Sequence, residues 1–301
     1  MKPLYCLHPF RFFRFSFASS ASSASFASFA SIATIGMASL TLLSGCGGSP
    51  STPLATPNVQ TSKLMYGAPI AFYVGVTQLN QGITLNATMC PNLIPVQSPS
   101  PVYLAYSCTP TGSGTMVFTA TDPSGKVILT QNFTIPDPQV TLVTSLGTVV
   151  LDLNPNAAPN TVKNFLEYVS FGFYNNLIFH RVIPGFVIQA GGFSAGLKAV
   201  NAPLPAITLE TPNGLSNLTG TVAMARTSDP NSATSQFYIN LSDNTNLDYV
   251  NSSNPGYAVF GKVSTGSDVV NAIGQVPTTT MGSYSDVPVT DVIITSATRT
   301  Q

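Results

Sequence analysis

The stretch "FHRVIPGFVIQAGG", Phe179 to Gly192, is apolar enough to be a pair of buried strands turning at Pro184-Gly185. Inside it stand Arg181, Gln189 and His180, the last being the sole histidine beyond the first 45 residues. Alternation along a strand predicts Arg181 on the face opposite His180 and Val182, with Val187 and Gln189 sharing a face. A permanent cation and an amide among Phe, Val and Ile need a reason, because such groups are costly to bury unpaired.

The surroundings are β-rich. "PDPQ", Pro136–Gln139, reads as a boundary, and "QVTLVTSLGTVVLDL" after it alternates around Gly147 like a hairpin. In "NAAPNTVKNFLEYVSFG", Ala158, Val162, Phe165, Leu166 and Val169 recur at helical spacing, with Pro159 suited to a first turn and Gly172 to a stop. Further β-like runs are "LIFHRVI", "FVIQAGG", "GTVAMAR", "SQFYINLS", "YAVFGKV" and "VIITSAT". A second helix fits "SDVVNAIGQV", with Ser267 or Asp268 as its cap. Residues 140–298 are therefore expected to form an antiparallel barrel or sandwich with two helices.

Residues 62–136 carry a separate set of short runs, among them "IAFYVGV", "VYLAYS", "TMVFTATD" and "KVILTQNFTI", parted by turn signals such as Asp122-Pro123-Ser124-Gly125. They predict a small β-sandwich of immunoglobulin-like kind. The stretch has no histidine and no acidic cluster. It reads as a spacer, with a binding module as the alternative. Residues 46–61, rich in Gly, Ser, Pro and Thr, read as a flexible tether.

The N-terminus has the layout of an export signal: Lys2, Arg11 and Arg14, then an uncharged run from Phe15 to Cys46. Its end, "LSGC" at Leu43–Cys46, resembles the lipobox of bacterial lipoproteins, which implies a signal over residues 1–45 and lipid on Cys46. A transmembrane helix and an ordinary cleaved signal are the alternatives. Gly47 allows an outer-membrane address, facing the periplasm. Of the remaining cysteines Cys6 lies in the leader, so Cys90 and Cys108 are an even pair expected to form a disulfide in an oxidising compartment. Closing a loop of that size contributes ~3 kcal/mol.

Only 7% of the chain is charged, and from Gly47 onward eight Lys+Arg stand against eleven Asp+Glu. That balance, without a basic patch, excludes nucleic acid as an expected partner. The Asn-x-Ser/Thr triplets at Asn86, Asn132, Asn217 and Asn251 are what such a composition yields by chance. The residues supply no metal-ligand cluster and no hydrolytic triad around His180, which reads as a structural histidine.

Three long motifs in order, "FHRVIPGFVIQAGG", "GTVAMARTSDPNSATSQFYINLSDNTNLDY" and "GYAVFGKVSTGSDVVNAIGQVPT", resemble the cyclophilin family of peptidyl-prolyl isomerases, its periplasmic bacterial branch in particular. The resemblance spans about Val140 to Ala297 and implies an eight-stranded antiparallel β-barrel capped by two helices. It implies rotation of X–Pro bonds during folding of envelope proteins, acting as a monomer on proline-containing polypeptides and without cofactor or metal. It places Arg181 in a groove as the catalytic guanidinium. Gln189 would lie beside it, binding substrate backbone and orienting the arginine. Phe186, also in the catalytic set, would wall the proline pocket with Val187, Tyr238 and Leu247. Ala225, Arg226 and Gln236 would line the extended groove, and Tyr257 holds a position that is histidine in many relatives.

Two departures stand out. Asn246 occupies a place often held by Trp or Phe, which predicts weak cyclosporin sensitivity; nanomolar inhibition would contradict it. Tyr238 stands where Phe is usual, and its hydroxyl needs a partner. Two other readings fit parts of the chain. A non-catalytic peptide-binding or scaffolding lipoprotein would keep the barrel. An adhesin-like envelope protein would explain the low charge but not the ordered motifs.

Overall fold

A computed structural model describes residues 58–75, 82–101 and 103–301. The expected signal, the lipidation site Cys46 and most of the expected tether lie outside them. Among the described residues no helix is long and apolar enough to cross a membrane.

The first seven strands are β1 (Val59–Thr61), β2 (Ile70–Gly75), β3 (Thr84–Ala87), β4 (Ile94–Val96), β5 (Tyr103–Cys108), β6 (Gly114–Thr121) and β7 (Val127–Ile135). They form two antiparallel sheets, ordered β1-β2-β5-β4 and β3-β6-β7. That order is the one found in a constant-type immunoglobulin sandwich. The inward faces meet through aromatic rings: Phe72 of β2 stacks on Phe118 of β6 at 5.3 Å and meets Phe133 of β7 edge-on at 5.9 Å. Asp122 shapes the β6–β7 turn by accepting hydrogen bonds from the backbone N–H of Ser124 and of Lys126. β1 falls in the stretch read as tether. Its single inward residue, Val59, is buried against β2, and one apolar residue gives no periodicity to read. Cys90, just past β3, is disulfide-bonded to Cys108 at the end of β5, with Cα atoms 5.7 Å apart, so the bond joins the two sheets.

The remaining elements are β8 (Gln139–Thr144), β9 (Gly147–Leu153), α1 (Pro159–Ser170), β10 (Leu177–Ile183), β11 (Val187–Ser194), β12 (Lys198–Ala199), β13 (Thr221–Met224), β14 (Phe237–Asn240), β15 (Val259–Thr265), α2 (Ser267–Ile273), β16 (Thr278–Met281), β17 (Tyr284–Pro288) and β18 (Ile293–Arg299). Eight of these strands close on themselves in the order β10-β18-β8-β9-β15-β13-β14-β11, with β11 returning to β10. Closure leaves no free edge in the ring. α1 buries Val162, Phe165 and Val169, and Phe165 meets Tyr174, Phe237 and Phe260 at 5.1–5.3 Å. Pro159 opens α1, and Gly172 ends it with φ 66°. The residue before α2 is Gly266, and neither Ser267 nor Asp268 makes a side-chain cap. Both lie inside the helix, where Asp268 in the first turn instead complements the dipole.

The sandwich and the barrel touch through polar links. Asn156 Oδ1 accepts from the Ser113 N–H, its Nδ2 donates to the Ser113 carbonyl, and Arg299 Nη2 donates to the Tyr66 carbonyl at 2.6 Å.

Candidate active site

The opening stretch folds as a hairpin of β10 and β11. Its turn, Ile183–Phe186, is closed by the Phe186 N–H donating to the Ile183 carbonyl at 3.0 Å. Pro184 in second place and Gly185 at φ 70° in third suit a type II turn. The pairing that follows is irregular. Phe179 faces Ala190, but Arg181 faces Gln189, so two steps on β10 match one on β11 and His180 is the extra residue of a bulge. Strict alternation therefore fails here. His180 and Arg181 border the same cleft instead of facing opposite ways. A bulge re-aims side chains in this manner, and barrels carry them beside functional sites.

The two glycines that end the stretch are set by close approach. A Cβ on Gly191 would lie 2.5 Å from the Ser235 carbonyl oxygen, and one on Gly192 would lie 2.6 Å from the Gln236 amide. Their absence of side chains lets the Gln236 amide lie over β11. There its Oε1 accepts from Gln189 Nε2 at 2.9 Å.

The cleft has a volume of ≈ 530 Å³ and gathers every groove residue named from the sequence: Arg181, Phe186, Val187, Gln189, Ala225, Arg226, Gln236, Tyr238, Leu247 and Tyr257. Val187, Ala223, Tyr238 and Val259 form a small apolar cluster, separate from the main core, with Phe186, Leu215, Ala225, Leu247 and Tyr257 packed against it. This is a slot with greasy walls. Cys90 and Cys108 lie in the sandwich, away from it. Asn246 is exposed on a short 3-10 turn, Thr245–Leu247, whose Leu247 reaches the cleft.

The slot is held by a polar network that the sequence does not announce. The Tyr238 hydroxyl donates to Asn217 Oδ1 at 2.7 Å, which gives that departure from the family pattern its partner. Asn217 is fully buried, and both its backbone N–H and its Nδ2 donate to Asp248 Oδ1, at 2.7 and 2.8 Å. Burial would raise the Asp248 carboxyl, but hydrogen bonds from Ser216 and Asn217 outweigh it and hold the group below the usual carboxylate range. Asn244 Nδ2 donates to the Phe186 carbonyl and to Asn240 Oδ1. The Tyr257 N–H donates to the Leu247 carbonyl. Each wall residue is thus tied by backbone or side chain. Burial also pushes the Tyr238 hydroxyl far above its ordinary value, so it stays protonated and keeps donating.

The two arginines differ. Arg226 donates from Nε and Nη2 to the Gly256 carbonyl and from Nη1 to that of Thr227, and its guanidinium lies 4.5 Å over the Tyr257 ring. Among the described residues Arg181 makes one charged contact, Nε to Asp286 Oδ2 at 3.7 Å, and 42% of its side chain is exposed. Gln189 sits beside it across the strand pair but bonds Gln236, so the group that restrains Arg181 is Asp286, not Gln189.

His180 is buried, its ring 4.6 Å from that of Phe193, with no hydrogen-bond partner for Nδ1 among the described residues. Burial first, and the Arg181 charge second, lower its pKa to about 4. It packs as a neutral ring and carries no charge at neutral pH. Sequence reasoning missed Phe193, Ser283, Tyr284 and Ser285, which also border the cleft, and Asp286 behind them. The last four belong to the β16–β17 hairpin, a polar run without alternation.

The family described as cyclophilin type peptidyl-prolyl cis-trans isomerase/CLD matches residues 139–299. The chain is 52% identical over 158 residues to peptidyl-prolyl cis-trans isomerase A of Dickeya dadantii, covering 52% of this chain and 82% of that protein. It is 51% identical over 161 residues to peptidyl-prolyl cis-trans isomerase B of Escherichia coli K12, covering 53% of this chain and 98% of that one. Among solved structures, a cyclophilin type isomerase of Cryptosporidium parvum, crystallised in the presence of the dipeptide Ala-Pro, is 28% identical with a TM-score of 0.47, covering 54% of this chain and 99% of that one.

Proposed function

The chain belongs to the cyclophilin type peptidyl-prolyl cis-trans isomerase family, and we propose that it rotates X–Pro bonds of polypeptides laid across the cleft, with Arg181 as the catalytic cation. One observation carries this reading. A half-exposed guanidinium, without a hydrogen bond to any of the described residues, shares a cleft with the Phe186–Val187–Tyr238–Leu247–Tyr257 slot.

The chemistry asks for little more. Resonance gives the X–Pro C–N bond a barrier of ~18–20 kcal/mol. Halfway through rotation conjugation is lost, and the proline nitrogen regains a lone pair that accepts a hydrogen bond. The slot holds the ring, and the Arg181 N–H donors meet the pyramidal nitrogen. Planar cis and trans amides offer no such acceptor, so the interaction favours the transition state over both ground states. Arginine suits the task because its charge is permanent and its donors are fixed in a plane. A millionfold acceleration needs only ~8 kcal/mol. Gln189 and Gln236, paired with each other, present their remaining amide groups to the peptide backbone.

Exchange spectroscopy on an Ala-Pro peptide tests this with the full chain. Catalysed cis–trans exchange is expected, and its loss in Arg181→Ala. Binding without exchange in the unaltered protein would make the cleft a peptide holder instead.

We also propose that the chain is exported, anchored through lipid on Cys46 and active on envelope proteins as a monomer, with the sandwich as a spacer that carries the barrel away from the membrane. "LSGC" at Leu43–Cys46 and the Cys90–Cys108 disulfide support this. Metabolic labelling with palmitate should mark the protein and fail on Cys46→Ala; label on neither would remove the anchor.

A further inference from the structure

The β16–β17 hairpin brings a rim to the cleft that the chemistry above does not use. Ser283, Tyr284 and Ser285 border the cleft, and the Tyr284 ring stands edge-on to Phe193 at 5.3 Å. The next residue, Asp286, has φ 61°. A side chain in this left-handed region costs energy, and residues held there cluster at sites where the conformation serves a purpose. Here it brings the carboxylate to the cleft's half-exposed cation: Asp286 Oδ2 lies 3.7 Å from Arg181 Nε. Ser285 Oγ donates to the same oxygen at 3.1 Å. Asp286 remains 36% exposed, so a bound peptide reaches it.

The charges around the cleft give this placement its meaning. Arg226 is engaged by two carbonyls and a ring face, and His180 is a buried neutral ring. Arg181 is the cation open to substrate. A glutamate or aspartate next to the substrate proline would be drawn to it and would turn the guanidinium away from the amide nitrogen. A carboxylate already at Arg181 screens that attraction and repels the newcomer.

We propose that Asp286 is a specificity-determining residue: its carboxylate occupies Arg181 in the free cleft and excludes acidic side chains beside the proline, so prolyl segments flanked by neutral or basic residues are the preferred substrates. This rests on the isomerase reading. It goes further by naming the class of segment turned over.

The test uses the full chain and three peptides that differ only in Glu, Ala or Lys next to the proline. The wild type is expected to use the Glu peptide roughly three- to fivefold less well than the Ala peptide in kcat/KM, the size of an exposed charge interaction. Asp286→Asn and Asp286→Gly should abolish or invert that penalty. Both residues accept a left-handed backbone, so the fold is kept. High salt, on the order of 1 M, should shrink the wild-type penalty toward that of the variants, which loss of packing would not do. An unchanged Glu-to-Ala ratio in both variants overturns the proposal. A wild type inert on all three peptides defeats the isomerase reading. In that case the same ratio, read as affinity for labelled peptides by fluorescence anisotropy, still decides the role of Asp286.

Discussion

Two arginines of one cleft stand in opposite conditions. Arg226 has all three of its nitrogens bonded to carbonyls and its flat face on Tyr257; it is part of the wall. Among the described residues the Arg181 guanidinium has a single charged neighbour, at 3.7 Å, and no hydrogen bond, although it stands on a barrel strand flanked by buried His180 and Val182. A guanidinium with every nitrogen engaged stabilises what it touches. One whose donors are open is ready for an acceptor that appears only during a reaction. Residue identity alone does not separate the two roles; the partners do.

Removing the open one should have the largest effect. Arg181→Ala is expected to lower kcat/KM by ~10²–10³, the range for a lost transition-state donor, with an unchanged melting temperature. If the melting temperature fell and activity survived, the contrast between the arginines would be reversed. Next comes the buried chain neighbour of Arg181, His180. His180 titrates at about 4 in the fold, against ~6.5 unfolded. Between those values the unfolded chain binds a proton that the folded chain does not, so stability is lost as pH falls through that window and levels off below it. The loss is about 3 kcal/mol. Urea midpoints across pH 4 to 7 should show the decline, and His180→Phe should flatten it. Above pH 6 this residue gives kcat/KM no pH dependence.

Arg226→Ala should cost less in rate and more in structure. Leaving the Gly256 and Thr227 carbonyls without their donor predicts about 2 kcal/mol of lost stability by chemical denaturation, with kcat/KM down by less than about tenfold. The smallest effect is expected at the slot. Tyr238→Phe removes one buried hydrogen bond to Asn217 and should destabilise by ~1 kcal/mol while KM stays within about twofold. A larger shift in KM would mean that the hydroxyl itself meets the substrate.

Much of this was legible from residues alone, for identifiable reasons. Helix α1 announced itself because Val162, Phe165 and Val169 mark one face between Pro159 and Gly172. The barrel strands showed as apolar runs, and the motif around Arg181 brought the cleft with it. What stayed hidden depends on contacts between distant segments. Arg181 and Asp286 lie more than a hundred residues apart, on strands β10 and β17 of separate sheets. The bulge at His180 is a mismatch between two strands, and neither strand carries it alone. β16 and β17 are short and polar, with exposed residues throughout β16, so no alternation betrays them. Asn217 looked like a chance triplet, yet its buried amide joins Tyr238 to Asp248.

The ring order has a consequence for how the chain is made. β8 opens the barrel and pairs with β9 on one side, but its other neighbour is β18, about 150 residues later in synthesis. Until that strand emerges, the hairpin leaves a row of unsatisfied backbone groups waiting, and the ring stays a curled sheet with two sticky edges. An enzyme that helps other chains through slow steps thus has a long-range closure of its own to complete. Removing β18 would leave an aggregating, open sheet.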